Sequence, residues 1–189
     1  MAVLCLIAHF YIDIPTDKTH LLGDDYRLFQ GTPAWKLAKA VKRQNVKAIR
    51  HQVEDLKIPI DYKEEKFGST LLILAVNTNK KKSVETLLSL GANPNLYDGS
   101  TGNVKRNSVY YASYFPRPSA DILKLLLQYG GDPNTTEQGY WINHFGEKVE
   151  ARNTALSEAT FNGLEKVKIL VEYGADVNKK TSTCPNGAM

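Results

Sequence analysis

The sequence has few of the residues from which covalent or metal-held frameworks are built. Only two cysteines occur among 189 residues, Cys5 and Cys184, and they lie near opposite ends of the chain. Two cysteines so placed form neither a disulfide framework nor a CxxC zinc motif, which is typical of a reducing compartment. We therefore expect a cytoplasmic protein, although proteins without disulfides also occur outside the cytosol.

Recognisable catalytic motifs are also missing. The chain contains no P-loop, no GxGxxG and no GxSxG, and its four histidines are scattered along the sequence. His144 and Glu147 are three residues apart and could share a metal, but one such pair in a loop is more typical of a solvated histidine. We expect no enzymatic activity, no cofactor and no metal.

The balance of charge and hydrophobicity excludes several classes of protein. The chain is 42% hydrophobic and 23% charged, which is typical of a folded domain and not of a disordered or membrane-embedded chain. The net charge of +4 mildly favours an acidic protein partner. No nucleic-acid partner is expected, because no aromatic side chains alternate with the cations as stacking platforms for bases.

One apolar run stands at the N-terminus, from Val3 to Ile12. Ten residues are too few for a membrane-spanning helix, so no integral membrane span is expected. Two interpretations stay open. The run is either a strand or short helix that packs on the first repeat, or the remnant of a signal peptide, which would favour an exported or cell-envelope protein.

Three nearly identical phrases begin at Leu87, Leu125 and Ile169: LLSLGANPN, LLLQYGGDPN and ILVEYGADVN. Their glycines, Gly91, Gly130 and Gly174, suit the position after a helix end, where a positive φ is needed. Each phrase ends a segment in which apolar residues have the spacing expected of two short helices. A fourth, degenerate copy lies at 33–55. One small residue recurs in the first helix of every copy: Ala40, Ala75, Ala112 and Ala159.

The copies resemble ankyrin repeats over Pro33–Lys180. The segments GSTLLILAV and NTALSEATFNG resemble the motif GxTPLHxAAxxG, and GANPN and GADVN resemble its closing phrase GADVN. The resemblance, to small bacterial members of the family, implies an all-α ankyrin solenoid of about four helix–turn–helix units with extended hairpin fingers. The units are predicted at 33–62, 66–98, 105–136 and 152–180, between an N-terminal extension at 1–32 and a tail at 181–189.

The ends of the stack need covers because each repeat buries its apolar face only against a neighbour. The apolar residues before the first helix are expected to cover one end, and the lysines near the last helix to form a polar cap at the other. These residues are Tyr26, Leu28, Phe29 and Trp35 at the first end, and Lys166, Lys168, Lys179 and Lys180 at the second.

Two surface features invite a functional interpretation. Cations at 36, 39, 43, 47, 50 and 80–82 form either a solvated surface or a basic strip for an acidic partner. The finger at 135–152 is about twelve residues longer than a 33-residue repeat requires, and it carries Tyr140, Trp141, Ile142 and Phe145. These aromatic residues either fold back onto the helices or anchor a partner.

The ankyrin resemblance implies a monomeric, non-enzymatic scaffold that binds a protein partner on its concave face of fingers and first helices. The main alternative is a bacterial cell-envelope or toxin-neutralising protein. An enzyme accessory subunit is a less favoured alternative. The resemblance and the long finger together indicate these partner-binding residues: Lys66, Phe67, Ser69, Asn77, Thr78, Arg106, Tyr114, Phe115, Tyr140, Trp141, Phe145, Phe161 and Asn162.

Overall fold

The computed structural model describes residues 16–99 and 104–181, and within these ranges eight α-helices form four consecutive pairs. The bounds are α1 Trp35–Lys42, α2 Val46–Arg50, α3 Leu71–Asn77, α4 Lys81–Ser89, α5 Ser108–Tyr114, α6 Ala120–Gln128, α7 Ala155–Asn162 and α8 Leu164–Glu172. A 3₁₀ turn at Tyr26–Phe29 precedes α1, and a π-helical turn at His51–Asp55 continues α2.

The pairs stack in chain order. The first helices contact one another along the row α1, α3, α5, α7, and the second helices along the row α2, α4, α6, α8. The recurring alanines are buried between neighbouring pairs, and Leu87, Leu126 and Leu170 of the second helices are fully buried. Stacking therefore buries apolar faces that no single pair covers alone.

The glycines that follow the second helices end them with the same hydrogen bonds. After α4, the Gly91 N–H donates to Leu88 O (3.0 Å) and the Ala92 N–H to Leu87 O (3.0 Å). This is the Schellman arrangement, which needs a residue with positive φ, and Gly91 has φ 93°. Gly130 and Gly174 repeat it after α6 and α8, with φ of 85° and 89°.

The first helices are capped by side chains at equivalent positions. The Thr70 hydroxyl accepts from the Ile73 N–H, and Thr154 forms a reciprocal capping box with Ser157. In the third pair the cap is Asn107, whose Oδ1 accepts from the Tyr110 N–H (2.9 Å). The loss of the motif threonine in that copy is therefore offset, because asparagine caps a helix as well as threonine does.

The fingers between the pairs contribute a small antiparallel sheet. Its strands are β1 Val104–Lys105, β2 Gln138–Ile142 and β3 Lys148–Glu150, in the order β1-β2-β3. Val104 pairs with Gly139, and Trp141 pairs with Val149. The chain is thus mainly helical but not all-α as predicted, because the finger at 135–152 folds into the β2–β3 hairpin and pairs with β1 of the preceding finger.

The residues expected to cap the two ends of the stack lie in different environments. Tyr26, Leu28 and Phe29 are buried in a turn that packs on α1. Lys166, expected in a polar cap, is instead buried, and its Nζ donates to Phe115 O (2.6 Å). Burial lowers the pKa of this lysine. The apolar run from Val3 to Ile12 lies outside the described residues.

Candidate functional site

A groove of about 580 Å³ lies where the fingers that precede α3 and α5 meet the C-terminal ends of these two helices. Five of the predicted partner-binding residues line it: Phe67, Ser69, Asn77, Arg106 and Phe115. The other lining residues are Gly23, Asp24, Asp98, Val104, Tyr111, Pro116 and Arg117. The groove therefore combines aromatic walls with charges of both signs.

Asp98 connects two of the segments that line this groove through hydrogen bonds. Its carboxylate accepts from the Tyr111 hydroxyl (2.6 Å) and from the Arg106 N–H (3.0 Å). Burial raises the pKa of Asp98, although these two hydrogen bonds act in the opposite direction. Burial likewise raises the pKa of Tyr111, so its hydroxyl remains protonated to a higher pH than a tyrosine in water.

Arg106 stands at the centre of a cluster that joins the groove to the inserted hairpin. Its Nη2 and Nε lie 3.0 and 3.2 Å from Glu137 Oε2, and the Glu137 side chain is fully buried. Its Cζ lies 5.4, 5.0 and 5.4 Å from the ring centres of Tyr110, Tyr114 and Trp141. We call these five residues the Arg106 cluster. Each such stacking contact of a cation on an aromatic face is worth roughly 0.5–2 kcal/mol.

The hairpin formed by β2 and β3 carries the predicted aromatic residues in different environments. Trp141 is 40% exposed and has one face against Arg106. Ile142 and Phe145 are 52% and 69% exposed near the hairpin turn. Tyr140 is half-buried, with the Lys148 ammonium 4.5 Å from its ring centre.

The hairpin turn that presents Phe145 is ordered by one side chain. Asn143 Oδ1 accepts from the Phe145 N–H (3.0 Å) and the Glu147 N–H (2.9 Å). Gly146 follows with φ 81°, a conformation that favours glycine. The exposed Phe145 ring is therefore held on a defined turn.

Four of the predicted partner-binding residues form hydrogen bonds within the protein through their polar groups. Lys66 Nζ donates to the carbonyls of Lys18, Thr19 and Leu21 at 2.8–2.9 Å, which fastens the N-terminal segment to the second pair. Ser69 is buried, and its N–H donates to Glu64 Oε1.

The other two polar residues join neighbouring elements. The Thr78 hydroxyl donates to Leu74 O (2.6 Å) and accepts from the Tyr26 hydroxyl (2.8 Å). Asn162 Nδ2 donates to Tyr114 O (2.6 Å). The last predicted residue, Phe161, is 84% exposed.

The predicted basic strip is partly neutralised. Lys81 forms an ion pair with Asp121 (2.6 Å), Arg50 forms one with Glu54 (3.1 Å), and Lys39 lies 4.9 Å from the ring centre of Trp35. Pairs of this kind on a surface contribute little to stability. The two ion pairs also reduce the positive potential that an acidic partner would meet, whereas the uncharged Trp35 ring leaves the charge of Lys39 in place.

Sequence reasoning missed Asp98, Tyr111 and Glu137. None of them belongs to a repeated phrase, and each meets its partner only through folding. In the described part of the chain, no group of three or more His, Cys, Asp and Glu side chains could hold a metal ion. No helix among the described residues is long and apolar enough to cross a membrane.

Comparison with known proteins gives two findings. The family model of the ankyrin repeat matches residues 67–99, which contain α3 and α4. A fowlpox virus (strain NVSL) protein named as an ankyrin repeat protein, FPV014, is 32% identical over 110 residues. These residues are 58% of this chain but only 22% of the viral protein. This relative is viral, so it lends no support to the bacterial source that the sequence suggested. The matched segment is thus an ankyrin repeat, and the chain is similar to an ankyrin-repeat protein over more than half of its length.

Proposed function

We infer that this protein is a non-enzymatic scaffold, a four-repeat ankyrin solenoid that binds a protein partner with the groove and the inserted hairpin. The observation that carries this proposal is the exposure of Ile142 and Phe145 on an ordered hairpin. Large apolar side chains that project together from a rigid turn are typical of interface anchors.

The groove and the hairpin form one continuous surface because they share Arg106. This residue lines the groove and also stacks on Trp141 of the hairpin. A partner that inserts an apolar side chain between Phe67 and Phe115 would therefore also reach the hairpin. The exposed charges of Asp24 and Arg117 at the groove favour a partner segment with polar flanks of both signs.

Binding at this surface requires little rearrangement. The hairpin strands are paired, its turn is held by Asn143, and the Arg106 cluster fixes the hairpin against α5. A preformed surface loses less conformational entropy on binding than a flexible loop does. Affinity is then expected to depend on a few anchors, chiefly Phe145 and Phe115.

Site-specific photo-crosslinking in the source cell tests the proposal. A crosslinking residue is placed at Phe145, at Phe115 or, as a control, at Tyr129, which is 44% exposed at the end of α6 in the second-helix row. We expect one protein to be captured from both Phe145 and Phe115 and not from Tyr129.

The captured protein is then titrated against variants of the full chain. Ile142→Ser combined with Phe145→Ser should weaken binding at least tenfold, since each anchor is worth more than about 1 kcal/mol. Tyr129→Ser should leave the affinity unchanged. A partner that binds the hairpin variant as tightly as the wild type would refute this surface.

A further inference from the structure

Three cations beside the groove come one from each of three consecutive turns between paired helices. Lys42 ends α1, Lys80 is the N-cap residue of α4, and Arg117 lies in the turn between α5 and α6. Lys42 and Lys80 line a second pocket of about 600 Å³, and Arg117 lines the groove. The pocket and the groove have Asp24 in common, so they adjoin. We call the three cations the cation row.

Hydrogen bonds between successive turns fix the spacing of the cation row. Gln44 Oε1 accepts from the Lys82 N–H (3.1 Å), and Asn79 Oδ1 accepts from the Ser119 N–H (3.2 Å). Gln44 and Asn79 have the same φ of 54°, so the first two turns have the same backbone conformation at this point. Since neighbouring helices pack about 8–10 Å apart, we expect the three positive charges at intervals of roughly 10 Å.

The cations of the row lack the ion-pair partners that other surface cations have. Lys81, for example, pairs with Asp121 (2.6 Å). In the described part of the chain, no member of the row forms an ion pair or a side-chain hydrogen bond. Lys42 and Arg117 are exposed, and Lys80 is half-buried. Their charges therefore remain available to a ligand.

The surroundings of the row are positive as well. From Tyr26 to Val53 the chain has seven lysines and arginines and no aspartate or glutamate. Three carboxylates line the pocket and the groove. Asp25 pairs with Arg27, and Asp98 is buried, which leaves Asp24 as the exposed one. The row is therefore suited to a ligand with several negative charges.

A polyproline II segment repeats at the interval of the row. It has three residues per turn and a rise of about 3.1 Å, so every third side chain lies on the same side, about 9.3 Å further along. A β-strand does not fit in this way, because its side chains alternate with a period of two. Nucleic acid also fits less well, since each strand of a duplex has a phosphate about every 3.4 Å and most of these charges would meet no cation.

The groove at the end of the row has the aromatic surface that such a segment uses. The rings of Tyr111 and Phe115 stack with 6.0 Å between their centres and 5° between their planes, and Phe115 is 37% exposed. Proline-rich segments dock on aromatic-lined grooves of this kind. Phe115 and Arg117 both line the groove, so a segment that reaches Arg117 also reaches the Phe115 ring.

We propose that the cation row binds an acidic polyproline II segment of a protein partner, with an aspartate or glutamate at every third position. One acidic side chain meets each of Lys42, Lys80 and Arg117, and a proline next to the last of them packs on Phe115. The proposal rests on the partner-binding surface proposed above, because it names the chemistry of the segment that enters the groove.

Fluorescence anisotropy on the full chain tests the proposal with a labelled synthetic peptide of three Glu-Pro-Pro units. We expect saturable binding that weakens as the salt concentration rises from about 0.05 to 0.5 M, because salt screens exposed charges. A peptide of the same composition with its three glutamates adjacent should bind about fivefold more weakly, since it meets the row at one point only. Equal affinities for the two peptides would overturn the proposal.

Single substitutions identify the cations that bind the peptide. Lys42→Gln, Lys80→Gln and Arg117→Gln should each weaken binding about threefold, in line with the value of an exposed ion pair. Lys124→Gln is the matched control, because Lys124 is exposed on α6 and lines neither the pocket nor the groove. It should leave the affinity unchanged. Asp24→Asn should strengthen binding, since it removes the exposed carboxylate beside the row.

A charge swap checks the register. A peptide with lysine in place of the middle glutamate should bind the Lys80→Glu variant more tightly than it binds the wild type. No gain from the swap would overturn the proposed alignment. Tighter binding of a single-stranded oligonucleotide than of the Glu-Pro-Pro peptide would assign the row to nucleic acid instead.

The outcomes separate this proposal from the partner-binding surface on which it rests. If the peptide does not bind but one protein is still captured from Phe145 and Phe115, the acidic segment is refuted and the surface stands. If the peptide binds with the expected pattern of variants but no protein is captured, the row stands and the hairpin is refuted as an anchor.

Discussion

The Arg106 guanidinium and the Glu137 carboxylate form an ion pair, with 3.0 Å between Nη2 and Oε2, that ties the inserted finger to the start of the third helix pair. The Glu137 side chain is fully buried, and its Oε1 has no hydrogen-bond partner among the described residues. Arg106 is therefore the counter-ion on which this carboxylate depends. In a low-dielectric setting, removal of one partner costs far more than the intact pair contributes.

Arg106→Ala is predicted to destabilise the protein by about 3–5 kcal/mol, because it leaves the Glu137 carboxyl group buried without its ion-pair partner. Urea unfolding followed by circular dichroism measures this change. Arg152→Ala is the control, since Arg152 pairs with Glu150 on the exposed surface, and it should cost less than about 1 kcal/mol. Equal costs for the two variants would show that the Glu137 carboxylate does not need Arg106.

Gly68→Ala is predicted to cost more than about 2 kcal/mol, because strain and collision add. Gly68 has φ +65°, and a Cβ there would lie 2.4 Å from Gly99 N and 2.6 Å from Gly99 Cα. Gly130→Ala shares the positive φ (+85°) but meets no atom within 4 Å, so it should cost only about 1–2 kcal/mol. Chemical denaturation of both variants compares them. A smaller loss at Gly68 than at Gly130 would contradict the close contact between the two fingers.

Leu126→Ala is predicted to lower the free energy of unfolding by about 2–5 kcal/mol through loss of buried contacts and creation of a cavity. Leu126 is fully buried in α6 between the second and fourth pairs. Leu164→Ala removes the same atoms from a side chain that is 68% exposed, and it should change stability by less than about 0.5 kcal/mol. Thermal melting compares the two variants. Equal melting midpoints would show that Leu126 does not belong to the core.

The Tyr26 hydroxyl is predicted to make the protein sensitive to alkali. Burial raises its pKa from 10.0 to about 12. Because the folded-state pKa is the higher one, the stabilisation is complete below pH 10 and is lost as the pH rises towards 12. At about pH 11 the loss due to Tyr26 is about 1.4 kcal/mol, the difference between ionisation with the two pKa values.

Urea midpoints at about pH 9 and about pH 11 test this prediction. Tyr26→Phe cannot ionise at this position, so its midpoint should fall less between the two pH values than that of the wild type. Burial also raises the pKa of Tyr110 and Tyr111, and these residues contribute equally in both proteins. An identical fall in the two proteins would assign the alkaline loss to other groups.

Local features of the sequence predicted the repeated scaffold. Gly91, Gly130 and Gly174 marked helix ends because a positive φ is a property of one residue and its neighbours. The alanine at the equivalent place in every copy marked the close approach of first helices, and it is buried in all four. The resemblance to ankyrin repeats followed from such phrases, and the family model that matches residues 67–99 confirms it for that repeat.

Long-range contacts decided which polar side chains remain free for a partner. Lys66 was predicted to face a partner, yet its ammonium bonds carbonyls 45–48 residues earlier. Asn162 likewise bonds Tyr114 O, 48 residues away. Phe145 carries the same prediction and does remain exposed. The local sequence does not distinguish the side chains that stay exposed from those that bond within the protein. The difference depends on distant residues that only folding brings near.

The sequence by itself determined where the helices pair and turn, since periodicity, caps and glycine conformations act over a few residues. The tertiary structure alone decided that the fingers pair into a sheet, that Arg106 neutralises Glu137, and that Asn95 and Asn134 bond the loop of the following repeat. The physical reason is that hydrogen bonds and charge pairs between repeats form only when stacking brings distant residues within about 3 Å.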